Sequence, residues 1–168
     1  MNKAQKPWWT QAKSDHALFV LLRQKGCAEC HLLHYLQMAT EKLSKADLWR
    51  NRNAPPKSHS RFVRFLKSLL DRPGDELDRI AEVFEYGDKK VLDRSLIDLQ
   101  PLAYELQKIA PAEAGDGPNA EYPWPHESPL HCPSDHKFAL WKQLTDTAQG
   151  RKLMAFVGRA IDEFDAYA

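Results

Sequence analysis

The stretch HLLHYLQMATEKLSKADLW, residues 31–49, decides the fold of this chain. Its apolar side chains recur at alternating intervals of four and three residues, at Leu32, Leu36, Ala39, Leu43 and Ala46. That spacing puts them on one stripe of an α-helix, as in a seam that packs against another helix. The stretch therefore predicts a long helix over residues 28–49.

The same helical period recurs on both sides of this stretch, whereas the alternation typical of strands is never sustained. Further helices are predicted over about residues 8–24, 58–70, 77–84, 88–106, 135–148 and 151–164. Ser58 is predicted to cap the third helix, and Pro101 is predicted to kink or divide the fifth. The chain is therefore expected to be all-α.

Residues 111–134 interrupt this pattern, because they hold most of the prolines together with several Gly, Asp and Asn. They predict an irregular, proline-rich insert that crosses the surface before the last two helices. Its aromatic residues Tyr122 and Trp124 are expected to pin the insert to the helices. The whole chain, residues 1–168, is expected to form one domain.

Composition limits the classes of function. The formal net charge of +1 over 168 residues gives no broad basic surface for duplex nucleic acid, although a local basic cluster remains compatible with it. No apolar run is long enough to span a bilayer, and the first fifteen residues lack the pattern of a secretory signal. Three cysteines, an odd number, argue against a disulfide framework. A cytoplasmic protein that does not bind membranes is expected.

The cysteines also permit a zinc site, formed by Cys27 and Cys30 with His131 and Cys132. These residues would supply three thiolates and one imidazole, a set that binds zinc. The spacing differs from that of known zinc modules, because the second half lacks its own C-x-x-C. Free cysteines at helix-packing surfaces are the commoner alternative, so no cofactor is expected.

Several motifs recur in the order of a known superfamily. Trp9 and Asp15 lie at the beginning of the first predicted helix. Residues 37–46, QMATEKLSKA, are similar to the second helix of that superfamily, which carries the motif E-K-x-x-K-A. Residues 57–59, KSH, are similar to the K-T-H motif at the start of the superfamily's third helix. Residues 121–123, EYP, are similar to its R-Y-P motif, although this chain has Glu121 where the motif has Arg. In this combination the chain resembles the HEPN superfamily, named for higher eukaryotes and prokaryotes nucleotide-binding.

The resemblance implies an up-and-down helical bundle that usually pairs with itself. It also implies RNA cleavage or a nucleotidyltransferase partner, often in toxin–antitoxin or phage-defence systems. HEPN ribonucleases carry an Arg, then four to six residues, then a His, with a polar residue after the Arg. Arg52 and His59 have six residues between them, and Asn53 occupies the polar position. The context departs from the family pattern, because residues 55–56 are both proline and would prevent a continuous helix through the motif. In addition, many family members with a similar K-S-H motif are not nucleases.

The residue types suit RNA cleavage without a metal. A histidine titrates near neutral pH and can accept the proton of a 2′-hydroxyl, as predicted for His59. An arginine presents a planar fork that matches phosphate oxygens, as predicted for Arg52, with Asn53 as a further hydrogen-bonding group. Additional phosphate-binding candidates are Lys57, Ser58, Arg61 and Arg64. In the alternative interpretation Ser58 only caps a helix, His59 is an ordinary polar residue, and the arginines form a solvated face.

Two functions follow from these features. The first is an RNA-processing or toxin-like HEPN endoribonuclease that acts on RNA, with an antitoxin as a candidate partner. The second is a non-catalytic module that binds a nucleotidyltransferase, a nucleotide or another protein. A homodimer is expected in both cases, because the second helix has more apolar surface than one neighbour needs. The segment from Trp49, at the end of that helix, to His59 is predicted to lie at or beside the dimer interface.

Overall fold

A computed structural model describes residues 1–50, 61–125 and 127–168 of the chain. Over these ranges the chain folds into helices, and the only extended pairing is an isolated bridge between Trp124 and His131. The all-α bundle that the sequence predicts is confirmed. Its helices are α1 (Gln5–Gln24), α2 (Glu29–Leu48), α3 (Phe62–Leu70), α4 (Gly74–Val83), α5 (Lys89–Lys108), α6 (Pro111–Ala114), α7 (Ala139–Asp146), α8 (Ala148–Asp162) and α9 (Phe164–Tyr167).

Helix α2 lies at the centre of the bundle, in contact with α1, α3, α5 and α8. Its predicted apolar stripe is fully covered, with Leu36, Ala39, Leu43 and Ala46 all inaccessible to solvent. Side chains outside the stripe are buried as well, including Gln37 and Ser44. The helix therefore uses most of its circumference within one chain.

Helices α1 and α2 form an antiparallel hairpin. The amide Nδ2 of Asn2, before α1, donates to the carbonyl of Trp49, after α2, at 3.1 Å. One turn further in, the ammonium of Lys45 lies 4.9 Å from the ring centre of Trp8. Helix α8 packs against the other side of α1, where the Trp9 indole N–H donates to the carbonyl of Ile161 at 2.7 Å. These contacts fix the register of the three helices.

Several helix boundaries differ from the predicted ones. Helix α5 continues through Pro101, so this proline neither ends nor divides it. Helix α3 begins at Phe62, four residues later than the predicted start at Ser58, and Arg61 is its N-cap residue. The helix predicted from residue 135 begins only at Ala139, after a one-turn 3₁₀ helix at Pro133–Asp135. The packing of a whole segment against its neighbours can override the local preference of a single residue for ending or starting a helix.

The insert is irregular, as predicted, apart from the single turn of α6, the Trp124–His131 bridge and the 3₁₀ turn that begins at Pro133. Asn119 is buried and shapes the chain locally, because its side-chain oxygen accepts hydrogen bonds from the N–H groups of Glu121 and Tyr122, at 3.0 and 2.7 Å. Trp124 is 4% exposed and anchors the insert in the core, as predicted. The prediction for Tyr122 is wrong, since its side chain is 61% exposed. Within the part of the chain that the structure describes, no helix combines the length and apolar character needed to cross a membrane.

Candidate functional site

The predicted catalytic segment falls largely outside the described residues. This is the case for Arg52, Asn53, Lys57, Ser58 and His59, so their predicted roles stay predictions. The structure does describe the residues that flank the segment, Arg50 before it and Arg61 after it. They establish where in the bundle the segment begins and ends.

The segment begins beside the C-terminal end of α3. The Arg50 guanidinium donates to the carboxylate of Glu76 in α4 at 2.9 Å. Nearby, the hydroxyl of Ser68, in the last turn of α3, donates to the carboxylate of Asp47 at 2.9 Å. The segment ends at the opposite end of α3.

The two predicted phosphate-binding arginines at the start of α3 differ in accessibility. Arg64 is exposed and remains free to meet an anion. Arg61 is only 3% exposed, so it does not belong to a solvated face. Just after Arg61, the backbone N–H of Val63 donates to the side-chain oxygen of Gln107 in α5 at 2.8 Å. The start of α3 is therefore attached to the last turn of α5.

A polar cavity of about 460 Å³ lies where the segment leaves α2. Its walls include Asp47 and Arg72, each with a side chain 6% exposed, joined by an ion pair of 2.5 Å. Arg72 also donates to the backbone carbonyl of Tyr167 and lies 3.9 Å from Glu76. The charges that line this cavity thus largely compensate one another, and two of them are buried.

Burial dominates the electrostatics of this pair. Desolvation raises the pKa of the Asp47 carboxyl, against the opposing effects of Arg72, Ser68 and Arg50. Desolvation likewise lowers the pKa of the Arg72 guanidinium, although Asp47 acts in the opposite direction. Each charge therefore depends on its partner to remain ionised in the interior.

A second cavity of about 490 Å³ lies at the other end of the bundle, between the end of α5, α6 and the chain that enters α7. Ile109, Phe138 and Leu140 form apolar walls, and each is less than a tenth exposed. Glu105 and Lys108 stand at its rim, 3.6 Å apart. In contrast to the first cavity, this one combines buried apolar walls with charged groups that face solvent.

The residues of the E-K-x-x-K-A motif join α1 to α2. Lys45 pairs with Glu41, four residues before it on α2, at 2.5 Å, and Glu41 is only 3% exposed. The Glu41 carboxylate also accepts from Gln37 at 3.3 Å. Lys42 approaches Asp15 of α1 at 3.8 Å. The motif residues thus hold two helices of one chain together.

The candidate zinc ligands do not form a metal site in the described part of the chain. Cys30 is buried in α2, Cys27 is half-buried, and Cys132 is exposed beside the 3₁₀ turn. Across residues 1–50, 61–125 and 127–168, no three His, Cys, Asp or Glu side chains are grouped as metal ligands. The structure therefore gives no support to the zinc alternative.

The reason given for a dimer also changes. Helix α2 has no surplus apolar face, because four other helices of the same chain cover it. Trp49 is half-buried, and its enclosed indole nitrogen has no hydrogen-bond partner among residues 1–50, 61–125 and 127–168. The homodimer stays a prediction that rests on the HEPN resemblance alone.

No model of a known protein family matches the chain, and no significant similarity links it to a curated protein or to a solved structure. The case for a function therefore depends on the residues and on their arrangement.

Sequence reasoning missed two features of these sites. The Asp47–Arg72 pair joins residues from the ends of two helices, and no periodicity or motif connects their positions. The cavity beside α5 depends on the path of the irregular insert, which the sequence predicted only as a surface excursion. A signal was available for His136 and Phe138, since aromatic residues near a proline-rich segment commonly pack against it.

Proposed function

We propose that this chain is a HEPN-type, metal-independent RNA-processing protein in which the segment between α2 and α3 cleaves RNA. The observation that carries the proposal is the sequence Arg52-Asn53 followed by His59, between the second and third helices of an all-helical bundle. An exposed cation, Arg64, follows the segment in α3 and suits a phosphate chain.

The proposed reaction is an internal transfer at phosphorus. The 2′-oxygen of the RNA attacks the adjacent phosphorus as His59 accepts the hydroxyl proton, and the bond from phosphorus to the 5′-oxygen breaks. The departing 5′-oxygen takes up a proton from water, and protonated His59 gives its proton to the hydroxide that remains. The products are a 2′,3′-cyclic phosphate and a 5′-hydroxyl. Arg52 stabilises the charge that accumulates on the phosphate oxygens, and Asn53 donates a further hydrogen bond.

Cleavage of single-stranded RNA in the presence of EDTA tests this proposal. The wild-type protein is expected to produce 2′,3′-cyclic ends, and His59→Ala and Arg52→Ala are each expected to remove activity. His31→Ala is a matched control, because His31 is an exposed histidine at the start of α2. Equal cleavage by wild-type and His59→Ala proteins would show that the assignment is wrong.

The proposal includes a homodimer that brings two copies of the segment together, as the resemblance implies. Light scattering at tens of micromolar is expected to give twice the mass of the chain. A monomer under these conditions would leave Arg52 and His59 to act within one chain, and the shared-site arrangement would be abandoned.

One observation favours the second candidate function, a non-catalytic module that binds a nucleotidyltransferase or another protein. Ile97 and Tyr104 are seven residues apart on α5 and are 57% and 51% exposed. They give one face of this helix an apolar character suited to a partner. This function predicts that the wild type cleaves no RNA. It also predicts that the chain co-purifies with a nucleotidyltransferase encoded beside it in the genome, and that Ile97→Asp abolishes this binding.

A further inference from the structure

The cavity beside the end of α5 is lined by apolar and aromatic side chains, as suits a site for an aromatic ring. Its volume of about 490 Å³ falls within the usual range for small-ligand sites. Two of its aromatic residues are fixed by their neighbours. The His136 ring stands edge-on to Trp124, at 5.0 Å between ring centres, and to Phe138, at 4.7 Å. The cavity therefore offers a preformed aromatic and apolar surface.

The charges at the rim are mainly negative. Glu113, in α6, makes no ion pair or side-chain hydrogen bond with the part of the chain that the structure describes. Glu105 shares its charge with Lys108, whose ammonium also lies 4.5 Å from the centre of the exposed Tyr104 ring. Carboxylates accept hydrogen bonds, so the two at this rim favour a ligand that places N–H donors in the cavity. Because they also repel anions, a phosphate group of the ligand is expected to stay outside the cavity.

We propose that this cavity binds a guanine base of single-stranded RNA, with the Glu113 carboxylate on its Watson–Crick edge. Guanine presents two adjacent donors there, N1–H and N2–H, which match the two oxygens of one carboxylate. Adenine and cytosine each place an acceptor beside their amino group, and uracil flanks its single donor with two acceptors. A carboxylate thus selects guanine, while Phe138 and His136 contact the ring.

The inference deepens the proposed function, because it names the part of an RNA substrate that the protein recognises. The last turn of α5 links the cavity to the start of α3, the helix that follows His59 in the sequence. Gln107 accepts a hydrogen bond from the N–H of Val63, and the adjacent Lys108 stands at the rim of the cavity. A base held in the cavity leaves its phosphate near Lys108. From there the RNA chain can continue toward the start of α3 and the exposed Arg64.

The test uses guanosine 5′-monophosphate as the probe, with the adenosine, cytidine and uridine monophosphates as parallel arms. Binding is measured by calorimetry and by NMR shifts of the insert resonances. We expect the guanosine nucleotide to bind roughly tenfold or more tightly than the others, as for a pair of charge-assisted hydrogen bonds. Glu113→Gln should weaken it by a similar factor. Glu82→Gln, an exposed carboxylate on α4, is the matched control and should bind as the wild type does.

Three results would overturn the inference: no saturable shift with the guanosine nucleotide, equal affinity for all four nucleotides, or unchanged affinity in Glu113→Gln. The same titration on His59→Ala separates this inference from the proposed function. Binding through Glu113 without RNA cleavage by the wild type would sustain the cavity and reject the nuclease. Cleavage without nucleotide binding would reject the cavity alone.

Discussion

The two ends of α2 are closed by different kinds of interaction. At the C-terminal end, Asp47 pairs with Arg72 in the interior, and Ser68 completes the hydrogen bonding of the carboxylate. At the N-terminal end, Glu29 accepts a hydrogen bond from the N–H of Phe138 at 2.7 Å, and the Phe138 ring lies in the core, 6.0 Å from the ring centre of Trp124. The first end depends on compensated charge, and the second depends on apolar and aromatic burial.

This difference separates charges that hold the fold from charges that can meet a ligand. Arg72 and Asp47 are buried and use one another as partners, so they have little capacity for a ligand. Glu113 faces a cavity and makes no ion pair with the residues that the structure describes. A list of charged residues near a cavity does not distinguish the two cases, whereas burial and pairing do.

The largest expected effect concerns the buried pair. Arg72→Met leaves the Asp47 carboxylate buried without its cation, so we expect a loss of about 3–5 kcal/mol in the free energy of unfolding. Urea denaturation monitored by circular dichroism measures it. Arg79→Met, at an exposed arginine of α4, is the control and should change stability by less than about 0.5 kcal/mol. A loss below about 1 kcal/mol in Arg72→Met would mean that the pair contributes no more than a surface ion pair.

The second prediction concerns the same buried pair at the C-terminal end of α2, with both charges replaced. Replacing both partners, Arg72→Met with Asp47→Leu, removes the buried charges together. We expect the double variant to be more stable than Arg72→Met alone, because no unpaired carboxylate remains. A double-mutant cycle measures this coupling. Additive losses in the two single variants would show that the two charges do not stabilise one another.

The third prediction addresses the aromatic end. Trp124→Ala removes the buried anchor of the insert and should cost about 3 kcal/mol, near the lower limit for a buried aromatic residue because the irregular chain can relax into the space. Hydrogen exchange should show lost protection in residues 119–138 and retained protection in α2. Tyr122→Ala is the control, since its exposed ring supports little packing. Equal effects of the two substitutions would contradict the assignment of Trp124 as the anchor.

The fold was more accessible to sequence reasoning than the site. The helical period of Leu36, Leu43 and their neighbours is a property of the chain itself, so it predicted both α2 and the all-α class. It could not predict the burial of Glu41 or Arg61, because burial of a charged residue depends on partners contributed by other helices. Charged residues were therefore expected on solvated faces, which is the usual outcome for exposed helices but not for a central one.

The candidate site shows the same limit in another form. The spacing of Arg52 and His59 is readable in the sequence, so it supports a hypothesis about chemistry. The guanine cavity requires Glu113 and Phe138 to approach the end of α5, and that approach depends on the irregular path of the insert. No periodicity fixes such a path, since turns and prolines permit several. Proline positions predicted the insert but not the surface that it makes.

The smallest expected effect tests a titratable group between the two ends. His16 in α1 lies against α8, where a Cβ added at Gly158 would approach its ring carbon Cε1 to 3.3 Å. Burial lowers the pKa of His16, and Asp162 partly opposes this shift. The folded protein therefore binds a proton less readily than the unfolded chain does.

The sign of the pH dependence follows directly. The stabilisation from neutral His16 is fully present above the ordinary histidine pKa of about 6.5 and is lost as the pH falls below that value toward the lowered pKa of the folded state. We expect the free energy of unfolding to decrease between about pH 7 and pH 5.5, and His16→Gln to reduce this slope. His31→Gln, at an exposed histidine of α2, should retain it. An identical slope in wild-type and His16→Gln proteins would show that His16 is not the group responsible, and that the contact between α1 and α8 tolerates its charge.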